Sequence, residues 1–298
     1  IIHNNFIKML THLKEQATKP ARVVILGAGG FISGAVERKL KAMEVPVLAL
    51  PRKELDLTSD TAASILASVH RPDDTLLFVS AKAPTKSEAM LIDNLLMAKS
   101  VCEALKSSAP GHLVYISSDA VYADSDKPLT EASCAQPDSL HGVMHLSREV
   151  MLANCFNGPL CILRPTLIHG EGDPHNGYGP NKFMRLVKTS NDIQLFGNGE
   201  ERRNHVWIED VAEIIKLAMS FQSKGILNIA SGGLTSFRDI AEKLISLGGS
   251  SSQIISNPRI GQMPHNGYRA FDVSAVRLAF PKFEFKQLFE VLEKSNAR

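Results

Sequence analysis

The stretch Arg22-Val23-Val24-Ile25-Leu26-Gly27-Ala28-Gly29-Gly30-Phe31-Ile32-Ser33-Gly34 decides how the rest of the chain is read. Val23–Leu26 are aliphatic with no polar alternation, as in a strand buried on both faces of a parallel sheet. The glycines then let the backbone turn sharply, and Phe31–Met43 continues with apolar residues at helical spacing. A strand that passes through glycines into a helix leaves the first N–H groups of that helix unpaired at the turn, where a pyrophosphate binds. Gly27, Gly30, Phe31 and Ile32 are therefore expected to hold the diphosphate of a dinucleotide. A tight turn without a ligand is the competing reading of this segment taken alone.

The same alternation recurs downstream. Strands are expected at Val45–Leu50, Thr75–Val79, Leu113–Ser117 and Leu160–Leu163. Helices are expected at Thr58–Val69, Glu88–Leu105 and Ser139–Phe156, with Thr58 or Ser59 capping the first. Repeated β-α units predict an α/β fold: a Rossmann-type doubly wound parallel sheet that forms an NAD(P)-binding domain over residues 21–170. After Arg164-Pro165 the pieces shorten, and Gly170–Asn181 reads as a loop over a cleft. Helices at Lys182–Lys188, Val211–Met219, Phe237–Leu247 and Phe285–Leu292, with strands at Ile193–Phe196, Val206–Trp207 and Ile226–Ile229, predict a smaller C-terminal α/β substrate lobe over 171–298. Part of 205–230 is expected to return to the first domain. Residues 1–20 form an N-terminal extension, in which Ile1–Lys19 reads as an amphipathic helix with Phe6, Met9, Leu10 and Leu13 on one stripe. That stretch lacks the continuous apolar core and the small-residue cleavage site of a signal peptide.

Composition narrows the function classes. The 298 residues are 44% hydrophobic and 21% charged, which excludes a disordered or collagen-like polymer. With 33 basic against 31 acidic side chains and no basic run longer than Arg202-Arg203, nucleic acid is not an expected partner. No apolar run reaches the roughly 18 residues of a membrane span, so no membrane partner is expected either. Cys102, Cys134, Cys155 and Cys161 show no CxxC spacing and read as reduced thiols of a cytoplasmic protein.

The turn spacing GxxGxxS, in place of GxGxxG, resembles that of the extended short-chain dehydrogenase/reductases, the NAD-dependent epimerase/dehydratase family that acts on nucleotide sugars. Ser33 stands where that family usually has its third glycine. Further segments resemble the family in order: Asn94; Tyr115 through Tyr122; Leu163-Arg164-Pro165 with His169-Gly170; Gly197-Asn198-Gly199 with Arg203, Val206 and Glu209–Ala212; and Arg269 with Asp272-Val273-Ser274. Roughly residues 22 to 280 are covered. The resemblance implies a nucleoside-diphosphate sugar as substrate, with Arg203 and Arg269 gripping its phosphates through bidentate hydrogen bonds. It implies that Asp56, with Leu57, lies beside the adenine, that Ser80-Ala81-Lys82 line the cofactor and that Ser118 polarises a sugar oxygen. The second strand ends at Pro51-Arg52 without the carboxylate that suits NAD, and Arg52 suits the 2′-phosphate of NADP, so NADP is favoured over NAD. A homodimer paired through the helices at Glu88–Leu105 and Ser139–Phe156 is also implied.

One motif departs. Where the family has Tyr-x-x-x-Lys, this chain has His141-Gly142-Val143-Met144-His145. Three readings stand. His141 acts as acid/base with His145 supporting it or contacting the cofactor ribose, since imidazole titrates near neutrality. Alternatively, catalysis has moved to Ser118 and Asp119; the glutamate that dehydratases carry next to that aspartate is Ala120 here, against 4,6-dehydration. Or the protein is a catalytically inactive NAD(P)-binding sensor or partner subunit. HxxxH also has metal-ligand spacing, but it lacks the glutamate of HExxH, and a third ligand from His169, His175 or His205 has no motif behind it; no metal is expected.

Overall fold

Apolar strands covered by helices on both faces build the main body of this computed structural model, which describes residues 9–174 and 176–296. The chain runs β1 (Thr11–His12), β2 (Arg22–Leu26), α1 (Phe31–Ala42), β3 (Val47–Leu50), α2 (Ala62–Val69) and β4 (Asp74–Phe78). It continues through α3 (Glu88–Ser107), β5 (His112–Ile116), α4 (Leu140–Cys155) and β6 (Leu160–Pro165). It leaves the main body through β7 (Leu167–His169), α5 (Pro180–Lys188), β8 (Ile193–Phe196) and β9 (Arg202–Trp207). It returns through α6 (Ile208–Ser220) and β10 (Ser223–Ile229). The last elements are β11 (Leu234–Ser236), α7 (Phe237–Gly248), β12 (Ile254–Asn257), β13 (Tyr268–Arg269), α8 (Ser274–Ala279) and α9 (Leu288–Asn296).

The main sheet has the order β1-β10-β6-β5-β4-β2-β3, parallel except for β1. Within β2, Val23 and Ile25 pack with residues of α1 and α6, while Val24 and Leu26 pack with residues of α2, α3 and α4. Both faces of the strand are thus buried, which stabilises it by about 1.5–3 kcal/mol per fully buried aliphatic side chain. Because β3 and β4 flank β2 on opposite sides, a crevice opens at the carboxyl ends of β2 and β4, the usual ligand position in a doubly wound sheet. Two smaller sheets complete the lobe: β7, β11 and β13 pair with β9, and β12 pairs with β8. Phe183, Leu195, Phe237 and Leu244 belong to a separate lobe core.

Three local expectations are corrected. Residues 9–16 are not helical: Thr11 and His12 pair antiparallel with Lys224 and Ser223. His12 bonds Ser223 Oγ at 2.8 Å and the Ala279 carbonyl at 2.9 Å, and it stacks on Phe221, so tertiary pairing overrides the helical pattern. Phe6 of that stripe lies outside the described residues. The helix expected from Thr58 begins at Ala62, because Asp56 Oδ1 accepts from the Thr58 N–H (3.0 Å) and hydroxyl (2.7 Å) and holds the segment in a turn. The last helix starts at Leu288, not Phe285, since the Lys286 N–H is committed to Asp210 Oδ2. All four cysteines are free thiols, and no helix among the described residues is long and apolar enough to cross a membrane.

Candidate active site

The carboxyl ends of β2, β4, β5 and β6 open into a cleft of about 880 Å³ whose far side is lined from the lobe. The turn after β2 forms its floor. Gly27 has φ 88°, and a Cβ there would sit 2.8 Å from the backbone N and Cα of Ser80, so only glycine lets the two loops touch. Ser33 is fully buried; its hydroxyl accepts from the Gly30 N–H and donates to the Gly27 carbonyl, both at 2.8 Å. A serine at this position therefore ties the turn together. Phe31 and Ile32 line the cleft at the amino end of α1, and a Cβ on Gly29 would meet nothing within 4 Å. An open, glycine-walled turn at a helix N-terminus fits the diphosphate of a dinucleotide.

The loop after β4 is held from behind. Asn94, buried on α3, accepts from the Lys82 N–H at 2.9 Å and donates to the Lys82 carbonyl at 3.0 Å. Arg148 on α4, also fully buried, donates to the Ser80 carbonyl at 2.7 Å and to the Asn94 carbonyl and side chain at 2.9 Å. Ser80, Ala81 and Lys82 consequently present fixed backbone to the cleft. On the other flank Arg52 and Leu57 line the cleft beside Asp56. Arg52 donates to Asp56 Oδ2 at 3.1 Å. Hydrogen bonds from Thr58, then the Arg52 charge, hold the Asp56 carboxyl below its usual range.

His141 and His145 both reach the cleft wall, one helical turn apart on α4, with ring centroids 4.7 Å apart at 85°. Ser139 caps this helix through the Gly142 N–H at 3.2 Å. A Cβ on Gly142 would lie 2.1 Å from the Ala120 carbonyl, so glycine brings α4 against the Asp119–Val121 turn. His145 Nδ1 lies 2.8 Å from the Tyr115 hydroxyl. Burial pushes the Tyr115 phenol above its usual range, and Arg148, which can only donate, stands beside it. Either group can supply the hydrogen of the Tyr115–His145 bond, which fixes the His145 ring against β5. Burial, His141 and Arg148 hold His145 well below the usual imidazole range, so it is neutral and does not replace the charge of a lysine. His141 Nδ1 accepts the Thr85 N–H at 3.4 Å, which favours the tautomer with its proton on Nε2.

Ser118 and Asp119 also line the cleft. Asp119 Oδ2 accepts from Arg269 Nε at 3.0 Å, and Oδ1 faces the Ser118 hydroxyl at 3.4 Å. Both carboxylate oxygens of Asp119 are thus engaged by neighbouring side chains. Arg269 itself corrects an expectation. It does not line the cleft; it is 2% exposed, and its guanidinium is committed to Asp119, its carbonyl and Asp124. A guanidinium engaged on two carboxylates has no fork left for a substrate phosphate. Behind Ser118, Glu149 accepts from Ser117 and from Arg164, a buried ion pair that anchors α4 to β6.

Arg203 and His205 stand two residues apart on β9 and both line the cleft from the lobe side. Arg203 pairs with Glu201 at 3.0 Å. Among the described residues no group of three or more His, Cys, Asp or Glu side chains could hold a metal; His175 lies outside them. Thus the cleft gathers every expected site residue except Arg269. The parts of Tyr115, which the sequence placed only at the start of the Tyr115–Tyr122 segment, and of Arg148 were missed because both act from behind the wall. The alternation of Arg203 and His205 along one strand was the signal available for His205.

Comparison with known proteins agrees with this geometry. The sequence pattern of the NAD dependent epimerase/dehydratase family matches residues 23–230. The dTDP-4-keto-6-deoxy-D-glucose reductase of Streptomyces niveus is 21% identical over 274 residues, spanning 86% of this chain and 93% of that protein. The dTDP-6-deoxy-L-talose 4-dehydrogenase (NAD(P)(+)) of Kitasatospora kifunensis is 25% identical, spanning 87% and 90%. The UDP-glucose 4-epimerase of Thermotoga maritima, crystallised with UDP-glucose, superposes with a TM-score of 0.82 at 20% identity over 93% of this chain and 97% of that one. The GDP-L-fucose synthetase of Naegleria fowleri bound to NADP gives 0.79 at 14% identity over 97% and 96%. With the family pattern running from the first strand of the parallel sheet to its last, the chain belongs to the NAD dependent epimerase/dehydratase family.

Proposed function

We propose that this protein is an NAD(P)-dependent reductase or dehydrogenase acting at a keto or hydroxyl carbon of a nucleoside-diphosphate sugar. The observation that carries the reading is that one cleft holds the glycine turn, His141 with Ser118, and Arg203. The relatives that match nearly the whole chain, named for a 4-keto sugar and a 4-dehydrogenase, support this choice within the family. Ala120 where dehydratases carry glutamate argues against elimination.

Gly27, Gly30, Phe31, Ile32 and the Ser80–Lys82 backbone would hold the dinucleotide, with Asp56 and Leu57 beside its adenine and Arg203 on the substrate diphosphate. A bound nicotinamide supplies the hydride. His141, with its proton on Nε2, would donate a hydrogen bond to the reacting oxygen, Ser118 lies on the same wall, and the alkoxide formed as hydride reaches the carbon would take its proton from solvent water. This is oxyanion stabilisation by a fixed donor. His145, itself neutral, orients His141 edge-on at the cleft. Arg52, with no carboxylate at the end of β3, favours NADP. The protein pairs with a second copy through α3 and α4, where Ile92, Leu96, Val143 and Val150 are exposed apolar residues. Free cysteines suit a reducing cytoplasm.

The test is loss of the reduced-nicotinamide absorbance when a dTDP- or UDP-linked 4-keto-6-deoxy sugar is added, run with NADPH and with NADH. His141→Ala should lower kcat about 100- to 1,000-fold, the usual cost of one oxyanion donor. NADPH should outperform NADH. One observation favours a purely binding role: His145 supplies no charge where the family has a cation. Tight dinucleotide binding with no turnover of any keto sugar would decide for that sensor or partner-subunit role.

A further inference from the structure

His205 is 3% exposed, it lines the substrate side of the cleft, and neither of its ring nitrogens has a hydrogen-bond partner in good geometry. It touches the backbone of Arg203 without a well-formed bond. Nε2 of His169, two residues along the neighbouring strand from the Cα partner of His205, is likewise unpartnered and buried. Burial pushes both imidazoles down, to about 3 for His205 and about 4 for His169, so both are neutral at physiological pH. A buried polar group left without a partner destabilises the fold until something satisfies it. The opposite face of the same strand shows no such neglect: Asn204 bonds Ser231, Gly233 and Thr166. Of the two, His205 lines the cleft, and His169 lies on the same side of the sheet two residues along. Gly179 lies over His205, where a Cβ would still be 3.9 Å from Nε2, and the Phe237 ring packs edge-on against the imidazole with centroids 5.9 Å apart.

We infer that His205 is a hydroxyl-reading subsite, in which its imidazole both donates to and accepts from a hydroxylated ring attached to the diphosphate that Arg203 holds. A neutral imidazole has one N–H and one lone pair on separate edges, which matches a hydroxyl or a vicinal diol and mismatches a phosphate or an apolar group. Because the ring is already desolvated, a ligand lacking the hydroxyl leaves it unpaired and is rejected, as in sites built to bond a substrate OH. The ring is either the transferred sugar or the ribose. The inference rests on the nucleotide-sugar reading above.

The experiment is calorimetry and thermal shift on the whole protein, saturated with NADP, using UDP-glucose, dTDP-glucose and GDP-mannose together with UDP, dTDP and GDP. The comparison is wild type against His205→Phe and His205→Gln. The expected result is that His205→Phe binds the preferred nucleotide sugar about 10- to 100-fold more weakly, while ligand-free Tm rises because the unpaired nitrogens are gone. His205→Gln, which keeps a donor and an acceptor, should recover part of the affinity. A loss confined to the nucleotide sugar assigns the hydroxyl to the hexose; an equal loss for the nucleoside diphosphate assigns it to the ribose. Equal affinity of wild type and His205→Phe overturns the inference and leaves the nucleotide-sugar reading intact. If no panel member binds the wild type, the nucleotide-sugar reading falls, and the inference with it.

Discussion

The two walls of the cleft satisfy their polar groups in opposite ways. On the glycine-turn wall the chain is its own partner: Ser33 bonds Gly27 and Gly30, Asn94 bonds Lys82, and Arg148 bonds Ser80. On the lobe wall His205 keeps unpartnered nitrogens in near-complete burial, with His169 buried behind it on the neighbouring strand. The first wall is a fixed backbone surface, finished before any ligand arrives. The second wall leaves imidazole nitrogens to which the inferred hydroxyl would bond. A ligand recognised by backbone shape is read with few side chains, whereas a ligand recognised by side-chain hydrogen bonds leaves a protein with unmet groups.

The sharpest way to break the first wall is Gly27→Val. A β-branched residue at φ 88° is strained, and its Cβ would enter the Ser80 backbone. The expected outcome is a loss of dinucleotide affinity of more than about 100-fold by calorimetry, with a Tm drop reflecting about 1–3 kcal/mol of backbone strain. Unchanged binding would remove the turn from the cofactor site.

A pH series tests the second wall. His169 and His205 are held at about 4 and about 3 in the folded protein, below their unfolded value. Above about pH 6.5 both states are deprotonated and these groups leave stability unaffected. Below it the unfolded chain binds protons that the folded chain refuses, so stability falls as pH falls, by about 1.4 kcal/mol per pH unit for each such histidine. His112, pushed to about 4 by burial, and His145 add to the slope from the main body. Urea unfolding between about pH 7 and about pH 5 should show this decline, and His205→Phe should reduce the slope by one proton's share. A slope identical in the variant would mean that His205 is not buried and neutral.

The contrast between the walls also explains what was legible in the sequence. The Rossmann sheet was readable because Val23–Leu26 and Leu113–Ile116 are buried on both faces and carry an unbroken apolar signature. The turn was readable because glycine spacing reports backbone geometry directly. The true place of Arg269 was not, since a motif names a residue without saying that Asp119 and Asp124 will capture it. Thr11–His12 was misread because two residues of edge strand leave no periodic signal, and their partner Ser223–Lys224 is 211–213 positions away in sequence. Likewise, the replacement at 145 was visible as a letter, but its neutral state depends on burial beside His141 and Arg148, and its orientation on the Tyr115 hydroxyl, which approaches from β5.

That last dependence yields the smallest and most specific prediction. In Tyr115→Phe the ring stays and only the hydroxyl leaves, at a cost of about 1 kcal/mol for one buried hydrogen bond. His145 then loses the partner that fixes its tautomer, while the burial that keeps it neutral is unchanged. Side-chain nitrogen-15 spectra should show His145 as one neutral tautomer at pH 7 in the wild type and as a mixture of both neutral tautomers in the variant. Dinucleotide affinity should weaken only about two- to five-fold, because less than about 1 kcal/mol separates one oriented ring from a partly oriented one. Were wild-type His145 already a mixture of tautomers, the Tyr115 hydroxyl would not be the group that fixes it, and the His141 reading would lose the neighbour that holds it in place.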